Sequence, residues 1–319
     1  MSAAPERELW QGRVDPEDGL AGTRWHQAVQ FERPRDPAVS LLGFPSDLGV
    51  RANRGRPGAA RGPDGLRRAL AGQAWHLKHG LYDAGNVVVD QNLAAAQADY
   101  AGRLEKLLEQ SEFVVGLGGG HEIGWGSYLG CRSWRDRLAP GAVLGILNFD
   151  AHFDLRRPAP GPSSGTPFYQ VAQDCAERGE EFHYACLGIA RTANTPALYS
   201  RARELGVEYL EDTRCSPAES DPFLQHFLAR VDLLYLSFCL DVLPAALAPG
   251  VSAPAALGVD PRWVTQALGA VGRLCREYGV RWLLADMAEL APELDRGGQT
   301  ARLGARIVDE MLAARCGDS

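Results

Sequence analysis

The sequence contains no apolar run of the about eighteen residues that a membrane-spanning helix needs. Residues 1–30 are polar and include Asp and Glu, so they lack the apolar centre of a secretion signal. Both absences make the cytoplasm the expected compartment and argue against a membrane partner. Positive charge is also short: 40 acidic side chains against 33 basic ones give a formal net charge of −7. Nucleic acids are held by clustered cations, so no nucleic-acid partner is expected. There is no CxxC, and the seven cysteines (131, 175, 186, 215, 239, 275 and 316) are odd in number and scattered. Neither a disulfide framework nor a zinc ribbon is suggested, and most of them read as small buried apolar side chains. No Ser/Gly linker, low-complexity tract or internal repeat divides the chain. The expected organisation is an N-terminal arm over residues 1–38 packing on a single domain over residues 39–319.

What is present is a 45% hydrophobic, 23% charged composition, ordinary for a globular chain with a substantial core. Short apolar runs recur at Val39–Phe44, Phe113–Leu117, Val143–Phe149, Phe182–Ile189, Leu233–Leu240 and Arg281–Ala285, each followed by Gly, Pro or polar residues. Near-continuous apolar runs of this length predict strands buried on both faces. Helical periodicity fills Ala94–Glu109, Pro196–Leu205, Pro222–Arg230 and Arg262–Tyr278. The alternation predicts a three-layer α/β/α fold around a mainly parallel sheet. The arginine-rich segment RANRGRPGAARGPDGL (Arg51–Leu66) reads as a structured loop running into a helix at Gly65–Ala71, holding loops together or meeting another subunit.

The segment NFDAHFDLR places Asp150, His152 and Asp154 on every second residue after the apolar run VLGILNF. Residues two apart share a strand face, so the three converge if the pleat continues past Phe149, at the strand end where open α/β sheets bind ligands. Carboxylates held about 4 Å apart repel by roughly 4 kcal/mol at an effective dielectric near 20, so such a site needs protonation, basic partners or a cation. Two other strand ends offer donors: GLGGGHE presents His121, and SFCLDVLP presents Cys239 and Asp241. Mixed oxygen and imidazole donors suit manganese, iron or zinc better than calcium. Taken singly, His121 could be a loop histidine, GLGGGHE a tight turn or phosphate loop, and DAHFD a hydrogen-bonded turn. GLGGGHE has neither the third glycine of GxGxxG nor a GK[ST].

These residues resemble the ureohydrolase family of arginases, agmatinases and formimidoylglutamases. The resemblance runs through GFPSDLGV, GRPGAARGP, GGGHE, DAHFD, Ser237 to Asp241, and Glu289 in DMAELAP. The arm WQGRVDPEDGLAGTRWHQ, the SSGTPF loop and LPAALAPGVSAPAALGV look most like the formimidoylglutamase branch. The resemblance implies an arginase-like fold and a homo-oligomer acting on a small-molecule substrate. It implies two Mn2+ ions, with His121 and Asp154 on one, His152 and Asp241 on the other, and Asp150 bridging. It also implies water activated between them, attacking the amidine carbon of N-formimidoyl-L-glutamate to release glutamate and formamide. Asp154 would pass the proton to the leaving nitrogen, and Glu289 would hold the cationic amidine. A guanidino substrate is the alternative within hydrolysis, and a metal-impaired homologue kept as a non-catalytic ligand-binding or assembly subunit is the alternative outside it.

Two departures stand out. The family pattern S-x-D-x-D is Ser237-Phe238-Cys239-Leu240-Asp241 here, so Cys239 occupies the place of a bridging carboxylate. Cysteine ligates only as thiolate and is softer than manganese prefers. The SSGTPF loop lacks the histidine that family arginases carry, which leaves His183 as a guess for a proton shuttle. For the substrate's carboxylates the candidates are Arg156 and Arg191 as guanidinium forks, with Ser163, Ser164 and Gly165 as hydroxyl and amide donors.

Overall fold

A computed structural model of the chain describes residues 7–34, 39–77 and 80–317. Among these residues nine strands run in chain order: β1 (Val29–Gln30), β2 (Val39–Phe44), β3 (Leu81–Asn86), β4 (Phe113–Gly118), β5 (Leu144–Phe149), β6 (His183–Ile189), β7 (Glu208–Glu211), β8 (Leu233–Cys239) and β9 (Arg281–Ala288). They form one sheet in the order β1-β3-β2-β4-β9-β8-β5-β6-β7, with every pairing parallel. All six expected strands are present, and β2, β4, β5 and β8 are buried along their whole length.

The helices are α1 (Trp25–Ala28), α2 (Leu48–Ala52), α3 (Gly62–Ala71), α4 (Leu93–Gln110), α5 (Ile123–Leu138), α6 (Pro167–Arg178), α7 (Pro196–Glu204), α8 (Pro217–Leu228), α9 (Pro261–Tyr278) and α10 (Gln299–Cys316). Alternate residues of the longer strands feed two cores. Val39 and Leu41 pack with α3, α8, α9 and α10 on one face, while Leu42 and Phe44 pack with α4, α5, α6 and α7 on the other. That is the three-layer α/β/α arrangement. In α9, Trp263, Val264, Ala267, Leu268, Val271, Leu274 and Cys275 form the buried stripe. Asp260 caps its first turn and Gly279, at φ 71°, ends it. The helix expected from Pro222 begins five residues earlier, at Pro217, because Ser216 starts it and Pro222 lies within its run.

Residues 7–34 contribute to the sheet and its core. β1 pairs with β3 at the sheet edge, Trp25 is fully buried, and its ring meets that of Trp75 edge-on at 5.0 Å. Trp10 Nε1–H donates to Asp83 Oδ2 at 2.9 Å. Among the described residues no helix is long and apolar enough to cross a membrane.

Candidate metal centre and active-site crevice

Four adjacent strands, β4, β9, β8 and β5, end at one crevice, three of them carrying the expected metal donors and β9 carrying Glu289. After β4 the chain turns through Gly119, whose amide donates to Phe44 O and whose missing side chain matters: a Cβ there would lie 1.9 Å from Ser46 O. This turn delivers His121, which is 1% exposed. Its Nδ1 lies 2.9 Å from both Asp150 Oδ2 and Asp154 Oδ2, and its Nε2 lies 2.9 Å from Ser237 Oγ. Ser237 donates its own hydroxyl hydrogen to Asp286 Oδ1 at 2.6 Å, so it accepts from Nε2–H. The imidazole is thereby held with Nδ1 free to ligate.

Asp150, His152 and Asp154 converge, but the pleat ends at Phe149 and a bend replaces it. Asp150 N–H continues the ladder to Leu187 O, and Asp150 Oδ1 then accepts His152 N–H at 2.8 Å. Buried Asn194 fixes the bend, donating to Ala151 O and Ala190 O and accepting Phe153 N–H. Asp154 sits at φ 50° and Glu289 at φ 74°, left-handed conformations that side-chain-bearing residues seldom adopt. His152 Nδ1 lies 3.1 Å from Asp241 Oδ2 and 3.5 Å from Asp150 Oδ1. Donor atoms therefore gather in two groups, His121–Asp150–Cys239 and Asp150–His152–Asp241, sharing Asp150.

Four carboxylates crowd two imidazoles here, and the proton affinities record it. Burial would raise Asp150, yet both histidines hold it well below the usual range. Burial and the Asp150 charge push Asp154 up to about 6, and the same two causes raise Asp241. Burial, Asp241 and Glu122 push Glu289 up to about 8. Burial would lower both histidines, but their carboxylate partners raise them well above 6.5. The Cys239 thiol is raised by burial and by Asp150, Asp241 and Glu289. His121 Nδ1 and Asp241 Oδ1 are buried with no hydrogen-bond partner among the described residues. Orphaned donors facing one another at these distances, with excess negative charge, fit divalent cations.

The crevice encloses about 320 Å³. His121, His152, Asp154, Cys239, Asp241 and Glu289 line it, together with the exposed Arg156 and the Oγ of Ser164, which accepts from Asn53 Nδ2 at 3.3 Å. Asp150 is fully buried between its histidines. Ser163 lines a neighbouring cavity, and its amide is spent on Thr166 Oγ1. Gly165 lines neither cavity; its carbonyl accepts Arg156 N–H, and the Arg156 side chain lies over its Cα. Arg191 is exposed and lines neither cavity, so the structure does not bring it to the site. His183 is corrected too: as the first residue of β6 it lies at the opposite sheet end, beside Glu181. Asn194, Asn53, Arg54, Arg56 and Ser252 line the crevice without having been singled out. Arg54 and Arg56 belong to the arginine-rich loop, whose composition was the one available signal.

The arginase family model matches residues 37–314, and the chain belongs to that family. A formimidoylglutamase of Hahella chejuensis is 49% identical over 95% of this chain and 93% of its own. One of Aeromonas hydrophila is 46% identical over 96% and 98%. Among solved structures, Trypanosoma cruzi formiminoglutamase with Mn2+ superposes with a TM-score of 0.80 at 23% identity, covering 93% of this chain and 99% of that one. Bacillus subtilis arginase gives 0.71 at 23% identity, covering 86% and 98%. At that identity the structural likeness speaks for the fold.

Proposed function

We propose that this chain is a metal-dependent C–N hydrolase that converts N-formimidoyl-L-glutamate and water to L-glutamate and formamide. The observation that carries the chemistry is the pair of donor groups sharing buried Asp150 in one crevice with Glu289. Near-full-length relatives named formimidoylglutamase support the substrate. His121 and Asp154 would hold one manganese ion and His152 and Asp241 the other, with Asp150 between them and Cys239 beside the first. Bound there, the ions would supply the missing positive charge and the Lewis acidity that lets water lose a proton near neutral pH.

The chain's own groups do the rest. Glu289 is fixed through Oε1, which accepts His121 N–H at 2.9 Å, so Oε2 is left to receive the N–H donors of the amidinium. Asp154 takes the proton of the attacking water and delivers it to the glutamate nitrogen as the C–N bond breaks. Arg156 and Ser164 meet carboxylate oxygens at the open end. Membership of the arginase family supports assembly, and we propose a cytoplasmic homo-oligomer, which light scattering on the purified chain tests.

Product analysis decides the reaction. With manganese present, the chain should release formamide and glutamate from N-formimidoyl-L-glutamate and no urea from agmatine or arginine. Urea without formamide would replace the proposal with guanidino chemistry.

A further inference from the structure

The crevice opens beside a second cavity of about 660 Å³, and Asn53, Arg54, Arg156 and Leu198 line both. Four arginines, Arg54, Arg156, Arg157 and Arg201, face this second space and no carboxylate lines it. In a chain of net charge −7 that is a local reversal of sign. Within the arginine-rich loop the other basic side chains are engaged. Arg51 pairs with Asp47 and Arg61 with Glu293, while Arg56 donates to Ser252 O and Val251 O. Arg54 has no such partner among the described residues and is exposed at the junction of the two cavities.

Its backbone is equally informative. α2 ends at Ala52, and Gly55 N–H closes it by donating to Val50 O at 2.8 Å. This closure puts Arg54 at φ 62°, the left-handed position where helix ends favour glycine. Glycine would remove the strain there, so local folding gives no reason for arginine.

We infer that Arg54 is a specificity-determining residue that, with Arg156, holds the two carboxylates of a dicarboxylate substrate at the junction of the cavities. This rests on the proposed amidine hydrolase reading for its substrate, but not for its test. Two guanidinium forks match two carboxylates. Arg157 and Arg201 extend the positive field outward and draw the dianion in.

The test uses the manganese-loaded full chain and two probes without an amidine, glutarate and butyrate, titrated by calorimetry. The native chain should bind glutarate at least about tenfold more tightly than butyrate. Arg54→Gly should abolish that preference while leaving thermal stability equal or higher, because the left-handed strain is relieved. Arg54→Lys should keep part of the preference, and Arg262→Ala, with the same charge lost elsewhere, should keep all of it. With N-formimidoyl-L-glutamate, Arg54→Gly should raise KM about tenfold or more with kcat nearly unchanged. A native chain that does not prefer glutarate, or an Arg54→Gly variant that still does, overturns the inference. Absence of formamide release by the native chain would sink the proposed reaction instead, leaving the glutarate comparison to stand or fall separately.

Discussion

Glu289 and His121 hold one another across neighbouring strands: His121 N–H donates to Glu289 Oε1 at 2.9 Å, while Glu289 N–H donates to Gly119 O at 2.7 Å. The contact fixes a carboxylate beside the donor groups with one oxygen uncommitted. Glu289→Gln keeps the acceptor of His121 N–H but removes the carboxylate that a bound amidinium would hold ionised, against the burial that pushes Glu289 up to about 8. Formamide release should fall by about 10²-fold or more in kcat/KM, with thermal stability nearly unchanged. Glu289→Ala should lose both activity and stability. A glutamine variant of native activity would remove Glu289 from the chemistry.

Ser237 ties His121 to Asp286, which also accepts the hydroxyls of Ser127 and Tyr235 at 2.6 Å each. In Ser237→Ala, Nε2–H loses its acceptor and the ring is no longer held in the ligating tautomer. Manganese affinity should fall 10–100-fold, read by equilibrium dialysis against metal buffers. Unchanged affinity would mean that packing, including the edge-on contact of Phe168 with the His121 ring at 5.4 Å, suffices to orient it.

Cys239 is 1% exposed among carboxylates that oppose its ionisation. Cys239→Asp supplies the hard oxygen donor that manganese prefers. It should bring the chain to two ions at lower free manganese than the native protein requires, measured as bound metal per chain. Equal titration curves would show that this position takes no part in holding the second ion. Formamide release only after the substitution would favour a native chain that has lost catalysis.

Glu122 Oε1 accepts from Ser46 Oγ and Gly49 N–H, both at 2.8 Å, while its buried Oε2 has no partner among the described residues. Burial pushes its pKa from 4.5 to about 7, although those hydrogen bonds oppose the rise. The folded chain therefore retains a proton that the unfolded chain releases. This contribution to stability is complete below about pH 4.5 and is lost as pH rises to about 7. The loss is about 3 kcal/mol by linkage. Glu122→Gln keeps the Oε1 acceptor and should flatten that part of the stability curve in chelator-treated protein. Urea unfolding from pH 4 to 8 reads the difference, and parallel curves would refute it.

Much of the sheet is legible because strands buried on both faces need continuous apolar sequence, as Val39–Phe44 and Leu233–Cys239 show. β3 is not: LYDAGN carries Asp83, which is tolerated at 0% exposure because Arg67 meets it through Nε and Nη2 at 2.8 Å and Trp10 donates as well. Burial would raise that carboxyl, but Arg67 holds it below its usual range. α5 is also hidden, since its glycines weaken helical propensity. They serve close approach: a Cβ on Gly130 would lie 2.7 Å from Leu104 Cδ2 of α4. In the site, the donors announce themselves by residue type, whereas Asn194 does not, because its task is to bind backbone groups distant in sequence.

The sequence by itself determined the alternation of strand and helix, the family, and the residue types able to hold metal, because periodicity and donor chemistry are local properties. Tertiary structure decided that four strand ends meet, that Asp150 is shared by two donor groups, and that Arg54 rather than Arg191 reaches the crevice. Those outcomes depend on strand order and on bends at Asp154 and Arg54, where backbone conformation is imposed by distant contacts and not by nearest neighbours along the chain.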